Sequence, residues 1–293
     1  MNDCMEVAFW GTRGGISTPG RSTEKYGGNT PCVSVTYEDD VFIFDAGTGI
    51  RVLGNDLIVT GGLKNKRLHL FLTHTHWDHI QGLPFFVPAY VKGTPLTIYG
   101  SASKGGFLET ILRGQMDYDY FPVDMSSLPS SLNIVEIEEP TLQFGKVTVQ
   151  WEEQHYHPGG SLRYKVSLGD TAVVFSTDVE LNRCFGKDYP TEEEREHAQQ
   201  YLKFVQGASL LIGDAQYTAE QYPTKIGWGH TSMELLMEIA HRSGVKRLAI
   251  YHHDPDHSDT MLDDLWNKFG PMYSQARPSM QVLWAREGMA LPV

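Results

Sequence analysis

The stretch THTHWDHIQGL at residues 73–83 decides the fold. It begins where the apolar run at 68–74 ends, and it leads into a predicted helix. Its ligand-type side chains follow an HxHxDH pattern: His74, His76, Asp78 and His79. In extended backbone, side chains two residues apart point to the same face, so His74 and His76 can bind one metal ion from one side. Imidazole and carboxylate suit Zn²⁺ and neighbouring transition ions; the alternative is a chance cluster on a solvated loop.

Apolar runs alternate with glycine-rich turns along the 293 residues. β-Branched and aromatic runs predict strands at 7–12, 32–37, 41–47, 68–74, 96–100, 133–139, 146–153, 163–168, 171–178, 209–215, 247–253 and 280–286. Helices are predicted at about 49–60, 79–91, 103–116, 191–206, 231–243 and 259–274. Thr191 is expected to cap one helix, and Thr231 with Glu234 to form a capping box on another. The pattern predicts one α/β domain over 1–293, in which helices cover packed sheets, with a surface insertion at about 101–132.

Composition narrows the class of protein. Hydrophobic residues make up 41% of the chain and aromatic residues 11%, which is typical of a globular protein. The formal net charge of −12 opposes broad, non-specific binding to nucleic acid, because such binding depends on Lys and Arg at phosphates. The three cysteines form no CxxC pair, which indicates reduced thiols in a cytoplasmic protein. Neither a membrane span nor a signal peptide is expected from the apolar pattern.

Further ligand-type residues follow later apolar runs. HYHPGGSLRY supplies His157, FSTDVE supplies Asp178, and LAIYHHDP supplies His252 or His253. Together with HxHxDH, these stretches resemble the metallo-β-lactamase fold superfamily over nearly the whole chain, which implies a four-layered αββα sandwich. The resemblance implies that His74, His76 and His157 hold one metal ion, that Asp78, His79 and the late histidine hold a second, and that Asp178 bridges them. An aspartate at the bridging position argues against a β-lactamase proper.

The late histidine comes from YHHDPDHSD at 251–259. His252 is the first residue past the apolar run LAIY, which is the position that the family uses, so His252 is preferred to His253. The neighbouring Asp254 and His257 are then expected to surround the ligand or form the turn, and Pro255 directs the chain away from the strand.

Two more stretches resemble the phosphodiesterase branch of this family, which includes tRNA 3′-processing endonucleases and small cyclic-phosphate phosphodiesterases. GWGHTSMELL places His230 before a helix, and LLIGDAQY places Asp214 at a strand end. The resemblance implies that His230 faces the scissile phosphate and that Asp214 orients it; alternatively, His230 caps the helix and Asp214 forms a turn. In FIFDAGTGIRVLG, Asp45 is expected to brace the metal-binding segment, to form a tight turn, or both. Tyr217 and Trp228 are candidate walls for a base or sugar, or packing residues.

The resemblance therefore implies a dinuclear metal-dependent hydrolase that cleaves a small or cyclic phosphodiester with a metal-bridging hydroxide. Asp78 would bind a metal ion and accept a hydrogen bond from the nucleophile, while His230 would donate a hydrogen bond or a proton to the phosphate or the leaving oxygen. The two divalent ions are expected to be Zn²⁺, with Mn²⁺ or Fe²⁺ as alternatives.

Other functions remain open on sequence grounds. A tRNA 3′-processing endonuclease would use the same catalytic residues, but nucleic acid is not the favoured substrate, because the insertion at 101–132 holds Lys104 and Arg113 against four acidic residues. A thioester hydrolase of this fold would share the ligands without needing His230, and a non-catalytic sensor would not need the intact ligand set. A homodimer stays open. His69 is expected to be a core histidine and His155 to lie at the rim of the site.

Overall fold

The computed structural model describes residues 4–101, 107–185, 188–276 and 279–293. Its strands form two seven-stranded sheets. The first sheet contains β1 (Glu6–Gly11), β2 (Cys32–Tyr37), β3 (Asp40–Phe44), β4 (Arg67–Phe71), β5 (Pro95–Gly100), β6 (Ser131–Glu136) and β14 (Ala290–Pro292). The second contains β7 (Thr141–Phe144), β8 (Val147–Gln154), β9 (Ser161–Leu168), β10 (Thr171–Ser176), β11 (Leu210–Asp214), β12 (Arg247–Tyr251) and β13 (Gln281–Trp284). Each sheet lies in its own compact unit.

The helices follow the strands in the order expected of an α/β fold. They are α1 (Gly49–Val59), α2 (Trp77–Ile80), α3 (Leu108–Gln115), α4 (Asn182–Phe185), α5 (Glu192–Val205), α6 (Met233–Arg242) and α7 (Asp259–Ala276). Short 3-10 helices occur at Arg21–Thr23, Leu83–Phe85, Val87–Tyr90, Met125–Ser127 and Tyr222–Thr224. Among the described helices, none combines the length and apolar character that crossing a bilayer requires.

In the first unit, strand direction explains where the polar residues gather. The sheet order is β14-β1-β2-β3-β4-β5-β6, and β3 to β6 run parallel to one another. The segments that follow β3 and β4 therefore emerge at the same edge of the sheet. Both strands are almost wholly buried, so this edge is supported by a packed core to which α1 and α3 contribute. The described part of the predicted insertion connects β5 to β6, and it buries Leu108, Leu112, Met116 and Met125 in that core.

In the second unit, four strands bring their ends to one edge. The sheet order is β13-β12-β11-β10-β9-β8-β7, and β10 to β13 are parallel. Since β8 and β10 are both antiparallel to β9, β8 also runs in the direction of β10. Residues that follow β8, β10, β11 and β12 therefore emerge at a common edge, supported by a core to which α5, α6 and α7 contribute.

Several predicted elements differ from the structure. The helix expected at 79–91 is instead the short α2 followed by two 3-10 helices, because Pro84 and Pro88 lack the N–H groups that a continuous α-helix uses. Strands β7 and β14 were not predicted. The cap on α5 is confirmed as a capping box, in which the Glu194 amide donates to Thr191 Oγ1 at 3.2 Å and the Thr191 amide donates to Glu194 Oε2 at 2.8 Å. The capping box at Thr231 is wrong, since α6 begins at Met233.

Candidate functional site

The HxHxDH segment forms a compact group, here called the motif cluster: His74, His76, Asp78 and His79. It follows β4, and His76 is still extended (φ −64°, ψ 153°) before α2 begins at Trp77. The ring centroid of His74 lies 4.4 Å from that of His76 and 4.2 Å from that of His79. His79 Nε2 lies 3.2 Å from Asp78 Oδ2. The change from strand to helix within this segment thus turns all four side chains toward one another.

A buried carboxylate after the neighbouring strand braces the motif cluster. Asp45 follows β3 with φ 63°, and it is fully buried. Its Oδ1 accepts a hydrogen bond from the Thr73 amide at 2.8 Å, and its Oδ2 lies 2.8 Å from His79 Nδ1. A carboxylate accepts, so His79 donates from Nδ1 to Asp45, and its Nε2 is directed toward Asp78. The predicted bracing contact between Asp45 and this segment is present in the structure.

The N-terminal loop also contacts the motif cluster. The Gly15 amide donates to Asp78 Oδ2 at 2.7 Å, with Gly15 at φ 73°. At Gly47 a Cβ atom would lie 2.4 Å from the Asp78 carbonyl oxygen, so only glycine allows this close approach. These contacts fix the carboxylate and the backbone of Asp78, and they give a physical reason for Gly15 in GTRGG and Gly47 in FDAGTG.

The second unit holds a group that we call the distributed cluster: His157, Asp178, Asp214, His230 and His252. Four of its members follow or end β8, β10, β11 and β12, and His230 precedes α6. His252 Nε2 lies 3.4 Å from Asp178 Oδ2, and His157 Nε2 lies 3.9 Å from Asp178 Oδ1. Ligand atoms of His157, Asp178 and His230 lie within 4.8 Å of one another, as do those of Asp214, His230 and His252. Sheet topology therefore assembles residues that are far apart in the sequence.

His157 is oriented by the glycine next to His230. Its Nδ1 lies 3.2 Å from the Gly229 carbonyl oxygen, which can only accept a hydrogen bond. The proton is therefore on Nδ1, and Nε2, the nitrogen nearer to Asp178, is the basic one. Gly229 has φ 88°, and a Cβ atom there would lie 2.2 Å from His157 Nδ1. Glycine is thus required at this position by both conformation and space.

Asp214 connects two parts of the distributed cluster. Its Oδ2 lies 2.7 Å from His230 Nδ1 and accepts from the Asp178 amide at 3.1 Å and the Val179 amide at 3.4 Å. The carboxylate is buried, so these hydrogen bonds compensate for its lost hydration. Because Nδ1 of His230 donates to Asp214, Nε2 is not used by this contact. The sequence-predicted pairing of these two residues is present in the structure.

The two adjacent late histidines have different surroundings. His252 adopts φ 60° and stacks on His230 with ring centroids 5.0 Å apart. His253 Nε2 instead lies 2.8 Å from the Ala285 carbonyl oxygen, and its ring meets Tyr26 edge-on at 5.7 Å. The structure places His252 in the distributed cluster and engages His253 with the backbone and an aromatic ring.

Comparisons with known proteins agree with this geometry. A family model described as a beta-lactamase superfamily domain matches residues 41–253. The chain belongs to the beta-lactamase superfamily. A Ribonuclease Z from Exiguobacterium sibiricum is 23% identical over 275 aligned residues, which cover 85% of this chain and 88% of the relative.

Solved structures with this fold also match. The metallo-beta-lactamase fold protein YhfI from Bacillus subtilis superposes with a TM-score of 0.68 and 18% identity, covering all of both chains. A diphosphatase from the PhnP family gives a TM-score of 0.66 and 14% identity, covering 99% of this chain and 97% of the other. The predicted fold class, the α/β metallo-β-lactamase fold, is confirmed.

The superfamily member described here has a donor set that fits divalent metal ions. Two ligand atoms on one Zn²⁺ ion lie about 3.4 Å apart, given bonds of about 2.1 Å and a tetrahedral angle. The pair His252 Nε2 and Asp178 Oδ2, at 3.4 Å, and the pair His79 Nε2 and Asp78 Oδ2, at 3.2 Å, match this spacing. Among the proposed metal ligands, His79 and His157 each have Nδ1 facing an oxygen acceptor, which leaves Nε2 for a metal ion.

His69 and His155 lie outside the two clusters and pack against aromatic rings. His69 stacks on Phe42, and its Nε2 lies 2.9 Å from Asp40 Oδ1; burial lowers the pKa of His69, against the influence of that carboxylate. His155 stacks on His197 with ring centroids 3.5 Å apart, and burial followed by the neighbouring His197 lowers the pKa of His155.

Sequence reasoning missed three contributors to these clusters: Thr73, Gly15 and Glu180. Thr73 Oγ1 lies 3.0 Å from both Asp45 oxygens and from His74 Nδ1. Each of the three contributors is adjacent or close to a recognised motif, so proximity to the motif was the signal that could have found them. Their partners lie far away in the sequence, at Asp78 for Gly15, at Asp45 for Thr73 and at Gly229 for Glu180, which is why a local pattern did not reveal their roles.

Proposed function

We propose that this superfamily member is a dinuclear metal-dependent hydrolase that cleaves a small or cyclic phosphodiester. The observation that carries the proposal is the His230–Asp214 pair, which lies among the carboxylate and imidazole donors of the distributed cluster. Metal ligands alone would serve many hydrolases of this fold. Protonation of a leaving oxygen needs, in addition, an acid held in a fixed orientation, and an imidazole bonded to a buried aspartate provides one.

The ligand assignment follows the family resemblance. One ion would be held by His74, His76 and His157. The other would be held by Asp78, His79 and His252. Asp178 would bind both ions. Bound divalent ions would lower the pKa of a water molecule toward neutrality and offset negative charge on the phosphoryl oxygens. We propose Zn²⁺, because imidazole and carboxylate ligands suit it, with Mn²⁺ or Fe²⁺ as alternatives.

The protein side chains then have separate tasks. Asp78, held by the Gly15 amide, is fixed in orientation and can accept a hydrogen bond from the nucleophile. His230 Nε2 would donate a hydrogen bond or a proton to the phosphate or the leaving oxygen, while Asp214 keeps the proton on Nδ1 and stabilises the imidazolium form.

A second candidate, tRNA 3′-processing, is favoured by the relatives named Ribonuclease Z. The net charge of −12 opposes it, since binding to a tRNA backbone depends on cationic side chains. In the described part of 101–132, the Arg113 guanidinium is paired with Glu109 at 2.8 Å and so is already engaged by a carboxylate. We therefore keep the small phosphodiester as the proposed substrate.

The test combines metal analysis with a substrate panel of bis(p-nitrophenyl) phosphate, cyclic nucleotides and a tRNA precursor. We expect two bound metal ions per chain and turnover of the small diesters. Replacing His230→Ala should lower kcat by about 10²–10⁴-fold with metal content unchanged. The matched control is His241→Ala, which removes a histidine from the C-terminal turn of α6.

Two results would contradict the proposal. Efficient cleavage of the tRNA precursor with poor turnover of small diesters would select the second candidate. Full diester turnover by His230→Ala would show that the assigned role of His230 is wrong.

A further inference from the structure

Glu180 is a fully buried carboxylate that neither metal binding nor proton transfer employs in the proposed mechanism. It lies two residues after Asp178, in the turn between β10 and α4. Tyr222 Oη donates to Glu180 Oε1 at 2.6 Å. The Gly227 amide donates to both carboxylate oxygens, at 3.0 and 3.1 Å, and the Gly229 amide donates to Oε2 at 3.3 Å. The donors all come from the loop of residues 222–230, which ends at His230.

We propose that Glu180 is the positioning residue of this loop and that, through Gly229, it sets the orientation of both His157 and His230. The proposal rests on the proposed function, in which these two histidines are a metal ligand and a proton donor. Nothing in the sequence pattern or the family match assigns Glu180 a role.

Gly229 is the connection between Glu180 and the two histidines. Its amide donates to Glu180, its carbonyl oxygen accepts from His157 Nδ1, and its peptide bond leads directly to His230. Gly227 and Gly229 both have φ 88°, so their amides can converge on one carboxylate as in an anion-binding backbone concavity. A movement of this peptide would therefore alter both imidazoles at once.

Thr231, which follows His230 at the end of the loop, is bonded to the turn that contains Glu180. Thr231 Oγ1 donates to the Val179 carbonyl oxygen and accepts from the Leu181 amide at 3.1 Å. This use of Thr231 is the physical reason why it does not cap α6. The turn after Asp178 and the segment before α6 are thus joined on both sides of Glu180, which makes the carboxylate the centre of the connection.

A carboxylate is suited to this place because it only accepts hydrogen bonds. Burial, and then the hydrogen bond to Glu180, raise the pKa of Tyr222 well above its ordinary value, so the phenol keeps its proton and donates. A glutamine would turn an NH₂ group toward at least one of these donors and lose the charge that strengthens the remaining bonds. The substitution Glu180→Gln therefore disturbs the loop while nearly preserving side-chain volume.

The experiment compares Glu180→Gln with Glu194→Gln, the same change at another buried glutamate of this unit, whose carboxylate accepts from a backbone amide at the start of α5. We expect Glu180→Gln to accelerate amide hydrogen exchange in a peptide covering 222–231, to weaken Zn²⁺ affinity by about 10–100-fold in chelator competition, and to lower kcat by about 10²-fold with a much smaller change in KM. Glu194→Gln should change none of these three quantities, although it lowers the midpoint of thermal unfolding.

A milder variant keeps the test decisive if Glu180→Gln does not fold. Tyr222→Phe removes one donor to the carboxylate, and we expect it to shift exchange, Zn²⁺ affinity and kcat in the same direction by a smaller factor. Unchanged Zn²⁺ affinity and unchanged exchange in the folded variant would overturn the positioning role. If the wild-type protein hydrolysed no phosphodiester, the proposed function would fail, but the exchange and Zn²⁺ measurements would still decide the role of Glu180.

Discussion

The motif cluster and the distributed cluster are built in opposite ways. The motif cluster takes its ligand-type residues from His74 to His79, within one segment that changes from strand to helix. The distributed cluster takes its residues from separate segments between His157 and His252, at the edge shared by β8, β10, β11 and β12. The first arrangement takes its ligand-type side chains from one segment and adds distant support from Asp45 and Gly15, whereas the second needs correct pairing of a whole sheet to bring its members together.

The two clusters nevertheless use the same device to hold their imidazoles. Asp45 fixes His79 at 2.8 Å in one, and Asp214 fixes His230 at 2.7 Å in the other. Each cluster also contains or adjoins non-glycine residues with positive φ, namely Asp45 at 63°, Asp178 at 57° and His252 at 60°. Such conformations cost ~1–3 kcal/mol each and persist where surrounding contacts determine them. Both arrangements thus depend on a buried carboxylate that orients the side chains.

The largest effect is expected from a change at the centre of the distributed cluster. Asp178→Asn replaces the carboxylate proposed to contact both ions by an amide, so metal content should fall and diester turnover should drop by more than about 10²-fold, the upper range for residues that only support ligands. Metal analysis and steady-state kinetics measure the two quantities. Asp170→Asn, an exposed aspartate at the β9–β10 turn, is the matched control. Both metals retained at full rate would contradict the bridging assignment.

A smaller effect is expected at the brace of the motif cluster. In Asp45→Asn an amide would face His79, which would favour the tautomer with its proton on Nε2 and so weaken metal affinity by about 10–100-fold. Titration with Zn²⁺ against a chelator measures this. Asp40→Asn is the control, because Asp40 begins the strand that Asp45 follows but contacts His69 and Arg67 rather than the motif cluster. Equal losses of Zn²⁺ affinity in both variants would indicate a general loss of stability instead of a specific brace.

The smallest effect concerns an exposed indole beside each cluster. Trp228, 57% exposed, has the Lys225 ammonium 4.1 Å from its ring centroid, on the loop that leads to His230; Trp77 is 80% exposed within the motif cluster segment. We expect Trp228→Ala to raise KM for a cyclic nucleotide by about tenfold, near the low end of the loss of one base-stacking contact, with kcat little changed. Trp77→Ala should raise KM less. The reverse order would place the base-binding surface in the other unit.

Much of the fold could be read from the sequence because its strands are short apolar runs with clear turn residues. The ends of β4, β10, β11 and β12 were predicted to within a few residues, and these ends carry the polar side chains. The prediction of a helix at 79–91 was wrong because Pro84 and Pro88 interrupt the segment and divide it into shorter helices. The prediction that Thr231 caps α6 was wrong because the Thr231 hydroxyl instead bonds to the backbone of Val179 and Leu181, in a distant turn.

The sequence by itself determined the residue types and the HxHxDH spacing, because a motif within one segment can be recognised without knowing which strands pair. The order of later polar residues along the chain was also visible. The sequence also favoured His252 over His253 as the late histidine. Only the tertiary structure decided that Gly229 orients His157 and that Glu180 accepts hydrogen bonds from the loop before His230. Those contacts join residues separated by tens of positions, and their geometry is fixed by strand pairing and burial, which local patterns do not encode.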